Sequence, residues 1–191
     1  MTQDDNEKLL IERIASQEET AFEELVGIYK KRVINFIYRF VYSIEDAQDL
    51  AQDVFVKIWN AASSFKGRSK VSTWIYAISA NLAINHKRKK RLVTTSLDSV
   101  TITEHGAITR EVASPSNQQP DSILEEKTMK SDILRSIDKL APNQKTALIL
   151  SHYENRSYKE IAEIMKTSVS SIESLLFRAK QNLKKLLKNI K

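Results

Sequence analysis

The sequence predicts an all-α protein built as two small helical domains joined by a flexible linker, and three observations carry that expectation. Of 191 residues, 41% are apolar and only three each are Gly and Pro, which leaves little turn chemistry for a many-stranded sheet. Apolar residues recur at i, i+3, i+4 and i+7 through several stretches, the period of a helix with one buried face. Between two groups of such stretches lies VTTSLDSVTITEHGAITREVASPSNQQPD, rich in Ser, Thr, Gln and Pro and without an apolar period. The expected boundaries are residues 1–92 for the first domain, 93–121 for the linker and 122–191 for the second. A coil of about 29 residues has an r.m.s. span of about 30 Å, enough to let two units work on separate sites.

Leu9 to Ile14 predicts a short first helix, and Phe22, Leu25, Val26, Tyr29, Val33, Phe36, Ile37 and Phe40 predict a long second one. Ser16 followed by Glu19 reads as a capping box between them. Ser43 with Asp46 repeats the start signal. Ala47, Leu50, Ala51, Val54, Phe55, Ile58 and Trp59 then form the stripe of a third helix. The pattern breaks at SSFKGRS, where Gly67 permits a turn geometry that other residues resist. A fourth helix runs through Val71, Trp74, Ile75, Ile78 and Leu82 into HKRKKR.

After the linker, Ile123 to Leu140 reads as helical, and Pro142 suits the first turn of a helix continuing from Thr146 to Tyr153. Ser157 and Glu160 form a capping box that opens a short helix with Ile161, Ala162 and Met165. A brief KTS break follows, and Val169 to Leu187 is helical again, with Ile172, Leu175, Leu176 and Ala179 inward. Two helices across so short a turn, with a basic end, make a helix-turn-helix pattern.

Charge is distributed unevenly within a net +6. From Phe65 to Leu92 there are eight Lys or Arg and no acid, and from Arg178 to Lys191 six and no acid, in a chain with 24 carboxylates. Two acid-free blocks point to two polyanion-facing surfaces. In the first, Phe65, Trp74 and Tyr76 beside cations suit stacking and phosphate neutralisation of single-stranded DNA, although Trp74 taken alone reads better as core. In the second, Ser170, Ser171, Glu173, Ser174, Phe177 and Arg178 lie off the apolar stripe where a recognition helix reaches base edges, and Lys180, Lys184 and Lys185 extend its basic flank.

The third helix carries an acidic second face of Glu45, Asp46, Gln48, Asp49, Gln52 and Asp53. Docking on a basic protein surface suits this face best and a plain solvated face is the alternative, while metal ligation needs oxygens converging from a loop or several elements. His86, His105 and His152 are scattered, no Cys is present, and neither a phosphate-cradling glycine loop nor a nucleophile elbow can be written. The expectation is therefore a non-enzyme without metal or cofactor. No run reaches the ~18 apolar residues of a membrane span, and the expected location is the cytoplasm.

Taken in order, these pieces resemble the extracytoplasmic-function (group 4) sigma factors of the sigma-70 family over nearly the whole chain. AFEELVGIYKKRVINFIYRF looks like the opening of sigma region 2, DAQDLAQDVFVKIW like region 2.2, and FKGRSKVSTWIYAISANLAINHKRKKR like regions 2.3 and 2.4. LAPNQKTALILSHYENRSYKEIAEIMKTSVSSIESLLFRAKQNLKK resembles region 4.

The resemblance implies that Asp46, Asp49, Gln52, Asp53 and Val56 dock on the clamp coiled coil of the RNA polymerase β′ subunit. Phe65, Lys66, Gly67, Arg68 and Ser69 match the loop that captures a flipped base of the −10 element, with Asn81, Asn85, Lys87 and Arg88 on the following helix. Ser168 to Lys180 match the helix that reads the −35 element. The implied partners are core RNA polymerase, the β flap included, promoter DNA and an anti-sigma factor, with no membrane insertion. A stand-alone helix-turn-helix regulator is the alternative.

Two departures from the family pattern stand out. Lys166 occupies a turn position that often carries Gly, and a non-Gly residue at positive φ costs about 1 kcal/mol. Glu173 and Leu175 stand where many relatives place Lys or Arg, and Glu can accept from a cytosine amine.

Overall fold

The computed structural model of the chain describes residues 3–97 and 133–188. Among the described residues every regular element is helical: α1 (Gln3–Ala15), α2 (Glu19–Val41), α3 (Ile44–Ala61), a 3₁₀ turn (Ala62–Ser64), α4 (Val71–Leu97), α5 (helical over 133–138), α6 (Pro142–His152), α7 (Tyr158–Met165) and α8 (Val169–Lys188). The expected linker lies outside the described residues except for 93–97, which continue α4 past the basic run. The helix expected from Ile123 enters the described residues only at 133.

In the N-terminal unit α2 packs against α1, α3 and α4. Its stripe Leu25, Tyr29, Val33, Phe36, Ile37 and Phe40 meets Ala47, Val54, Phe55 and Ile58 of α3 and Val71, Ile75 and Ala83 of α4, all buried. Tyr29 is buried to its hydroxyl, which donates to Glu7 of α1 at 2.7 Å, so the one buried carboxylate of α1 has its partner. Ser43 caps α3 as expected, its oxygen accepting the Asp46 N–H at 3.1 Å.

The capping box expected of Ser16 and Glu19 does not form. Gln17 takes a left-handed φ of 63° and reverses the chain immediately after α1, so Ser16 stays in the last turn and its hydroxyl donates to the Glu12 carbonyl at 3.3 Å. Glu18 becomes the N-cap of α2 without a side-chain cap bond, and its carboxylate instead binds the Arg13 guanidinium, with Nε at 2.9 Å.

The C-terminal unit buries Ala147, Ile149 and Leu150 of α6, Ile161, Ala162 and Ile164 of α7, and Ile172, Leu176 and Ala179 of α8. Pro142 opens α6, and the Ser157–Glu160 box is complete in both directions. Lys166 ends α7 at φ 52° and ψ 50°. The Thr167 N–H reaches the Ala162 carbonyl at 3.0 Å and the Lys166 N–H the Glu163 carbonyl at 3.3 Å, the paired bonds of a Schellman ending, which offset the strain of a lysine in a glycine's conformation. The two units are packed on each other: α7 lies against α4, and one buried apolar cluster runs through both.

Candidate nucleic-acid and protein interfaces

On α3 the residues Asp49, Gln52, Asp53 and Val56 are all exposed at i, i+3, i+4 and i+7, hence on one face. Val56, 57% exposed, is an apolar residue at the end of this acidic strip. Ile44, 50% exposed at the N-terminal end of the same helix, was not expected from the sequence. Asp46 is set apart from the strip. It is half-buried, with Lys90 Nζ at 3.1 Å and His86 Nε2 at 3.6 Å from its Oδ2, so it ties the start of α3 to the basic end of α4.

The 65–69 loop is anchored at its first residue. Phe65 is half-buried and packs on Trp74, ring centroids 4.9 Å apart at 36°, while Lys66, Gly67 and Arg68 stand in solvent and Ser69 is half-buried. Gly67 sits at φ 64°, where a side chain would be strained. Asn81, Asn85 and Arg88 are exposed, and their spacing puts them on one face of α4 in line with Trp74. Trp74 therefore stands at the head of a polar stripe while its ring is partly covered. Tyr76, expected beside Phe65 and Trp74 as a stacking ring, is instead fully buried and packs edge-on against Phe36. Lys87 points elsewhere: its ammonium binds Asp138 of α5 and lies 6.0 Å from the Tyr42 ring centroid.

On α8, Ser170, Glu173, Ser174, Phe177, Arg178 and Lys180 are exposed and Ser171 is half-buried. Phe177, at 65%, is the most exposed large apolar side chain among the described residues, and with Glu173, Ser174 and Arg178 it lines a shallow depression. Ser168 uses its hydroxyl oxygen on the helix itself, accepting the Ser171 N–H at 3.2 Å, with the Ser170 and Ser171 hydroxyls at 3.0 and 2.9 Å. Its position is that of an N-cap.

A group unforeseen in the sequence lies between the units. Lys145 and Arg156 are largely withdrawn from solvent, and Glu154 reaches both Tyr76 and Arg39. Their one signal in the sequence was a lysine, Lys145, embedded in an apolar helix. Among the described residues no group of His, Cys, Asp and Glu is placed to hold a metal, and no helix is long and apolar enough to cross a membrane.

Comparison with known proteins agrees with this layout. The family models Sigma-70 region 2 and Sigma-70, region 4 match residues 25–93 and 130–183, together well over half of the chain. The chain is 30% identical over 187 residues to the RNA polymerase sigma-H factor of Pseudomonas aeruginosa, covering 98% of this chain and 96% of that protein. It is 29% identical over 185 residues to the ECF RNA polymerase sigma-E factor of Escherichia coli K12, covering 95% and 94%. In fold it resembles the sigma factor RpoE from Bartonella quintana, solved in complex with the anti-sigma factor NepR, with a TM-score of 0.64 at 24% identity over 87% of this chain and 96% of that one.

Proposed function

Because this chain belongs to the sigma-70 family of RNA polymerase sigma factors, as one of the extracytoplasmic-function type, we propose how its surfaces divide the work of promoter-specific initiation. Residues 1–92 act as the region 2 unit and 122–191 as the region 4 unit. Asp49, Gln52, Asp53 and Val56 dock on the β′ clamp coiled coil, the charges steering the encounter and the apolar end supplying burial. Asp46 acts from behind this strip by fixing α3 to α4. The C-terminal unit meets the β flap.

The −10 element is opened and read by the 65–69 loop with Asn81, Asn85 and Arg88. Unstacking a base costs a few kcal/mol, and a partly exposed Phe65–Trp74 pair offers an aromatic surface that compensates it. The −35 element is read as duplex by α8. Arg178 and Lys180 supply phosphate contacts, while Glu173, Ser174 and Phe177 face the base edges. The chain carries no chemistry of its own; the polymerase makes the bonds, in the cytoplasm. An anti-sigma factor, as in the complex of the Bartonella relative, is proposed as the partner that holds the chain in reserve.

The observation that carries this reading is the ordered pair of family matches, with the acid strip and the polar α4 stripe both inside the first. A stand-alone regulator would use only residues 157–185 and leave the match at 25–93 without a role. The test is initiation by purified core polymerase on genomic DNA with and without the chain, with start sites mapped by sequencing. New starts sharing −10 and −35 elements are expected. No chain-dependent start on native or pre-opened templates would refute the proposal.

A further inference from the structure

Charge along α8 is divided at its middle. From Val169 to Phe177 the one charged side chain is Glu173, and every Lys and Arg of the helix lies beyond, beginning at Arg178. Ile172, Leu176 and Ala179 fix the inward face, so Ser170, Glu173, Ser174 and Phe177 are turned outward, all of them exposed. Two of these are unusual on a surface that faces a polyanion. Glu173 places a negative charge there, and among the described residues no hydrogen bond or ion pair engages its carboxylate. Phe177 leaves 65% of its surface in solvent, and the two side chains border the same shallow depression.

Neither side chain suits a phosphate. A carboxylate carried to duplex DNA is repelled by the backbone charge, and that cost is offset only where it meets a hydrogen-bond donor. The donors in the major groove are the amines of cytosine and adenine. The adenine amine lies between two acceptors, its own N7 and the O4 of the paired thymine, which repel a carboxylate from both sides. The cytosine amine has an acceptor on one side only, so cytosine is the base that Glu173 fits. Phe177 has no hydrogen bond to offer, and the apolar group exposed in the major groove is the thymine methyl. Four residues of helix rise about 6 Å, against about 3.4 Å per base pair, which sets the two side chains against base pairs one or two steps apart.

We propose that Glu173 and Phe177 set the −35 specificity of this chain, Glu173 selecting a cytosine through its amine and Phe177 a thymine one or two base pairs away. The proposal rests on the reading of α8 as the −35 helix and adds which bases that helix selects. Glu173 also acts by exclusion, because opposite a guanine edge its carboxylate meets two acceptors, O6 and N7. Without Lys or Arg before Arg178, this stretch lacks the side chains that most often read guanine. Phosphate anchoring falls to the later cations.

The test uses the full chain with core polymerase on templates randomised across the −35 position, upstream of a −10 element opened in advance, with transcripts counted by barcode. The native chain is expected to enrich cytosine at one position and thymine one or two steps from it. Glu173→Ala is expected to lower the cytosine preference at least about fivefold and to keep the thymine preference, and Phe177→Ala to do the reverse. Glu173→Gln, close in size and able to pair with adenine N6 and N7, is expected to move the preferred base at that position from cytosine toward adenine. Lys180→Ala is expected to lower output on all templates alike.

A cytosine preference untouched by both Glu173 substitutions, or absent from the native chain, would overturn the proposal. The same library as closed duplex, captured by the full chain without polymerase, separates this outcome from failure of the sigma reading. Glu173-dependent cytosine among the captured duplexes, with no transcript from any template, would count against the sigma reading and leave the base assignment standing. If neither arm shows it, the base assignment falls.

Discussion

The ammonium of Lys145, on the C-terminal unit, lies 3.4 Å from the main-chain oxygen of Phe40, 105 positions earlier on the N-terminal unit. A lysine seldom gives up its hydration unless it is paired, and here one carboxylate, one carbonyl and two rings replace the lost water. This contact lies at the seam where the two helical units pack on each other, and it leads to the first prediction.

Burial pulls the Lys145 ammonium down to about 8 from 10.5, with Lys87 adding repulsion and Asp138 opposing both. A lysine whose folded pKa lies below its unfolded value leaves the unfolded chain with more bound protons between the two, so stability rises with pH across about 8 to 10.5. The ionisation of Tyr76, which burial first and then its bond to Glu154 push up to about 12 from 10.0, removes stability only as pH rises beyond 10. Urea midpoints between pH 7 and 9.5 are therefore expected to climb in the native chain and to stay flat in Lys145→Met. Parallel curves would refute this assignment.

Glu160 behaves in the opposite sense. Burial raises its pKa, but bonds from Lys70 and from the Ser157 backbone and hydroxyl outweigh burial and hold it at about 2 against 4.5. Its contribution is present above pH 4.5 and is lost as pH falls toward 2. Glu160→Ala removes half of a capping box and the ion pairs to Lys70 and Arg156, so it is expected to cost about 1–2 kcal/mol at pH 7. Unfolding followed by circular dichroism should show that difference shrinking steadily below pH 4.5.

Phe36 is fully buried and meets the Tyr76 ring edge-on at 5.0 Å and the Phe40 ring at 5.1 Å. Phe36→Ala is expected to cost about 3–5 kcal/mol, a large part of what a domain this size commands. Calorimetry should show the main transition lowered by ten degrees or more.

Asp49 and Asp53 are exposed and Asp46 is tied to Lys90 and His86. Neutralising Asp49→Asn and Asp53→Asn together is expected to weaken polymerase binding at least tenfold and leave the melting temperature unchanged. Asp46→Asn is expected to lower the melting temperature, through a loss of about 0.5 kcal/mol, and to weaken binding less. Surface plasmon resonance and thermal melts on the same samples separate the two; equal effects on binding would argue against the division.

Phe65→Ala removes the ring that covers Trp74 and one stacking surface. At about 1–3 kcal/mol per stacked base, initiation on a closed template should fall about 5- to 150-fold. A template opened in advance at the −10 element should recover part of the loss, because strand separation no longer has to be compensated.

Much of this molecule was legible before any coordinates. The i, i+3, i+4 stripes of α2 and α3 became the buried faces of those helices, and the caps at Ser43 and Ser157 formed as read; the geometry at Lys166, left open by the sequence, is left-handed. Ser16 misled because an identical Ser-x-x-Glu spacing is overridden when the residue between the helices, Gln17, reverses the chain one position too late for the serine to act as cap. Within the candidate surfaces, Asp49, Gln52, Asp53 and Val56 share a face as their spacing requires, whereas Asp46 and Lys87 were claimed by partners 44 and 51 positions away.

By itself the sequence determined the helices, the order of the two units and the family to which the chain belongs. These depend on side chains within a turn or two of each other, and periodicity records such neighbours. Tertiary structure alone decided which charges remain free. A cation on one helix finds its carbonyl, ring or carboxylate through the packing of elements far apart in the chain, and Coulomb attraction leaves no period in a sequence from which that choice could be read.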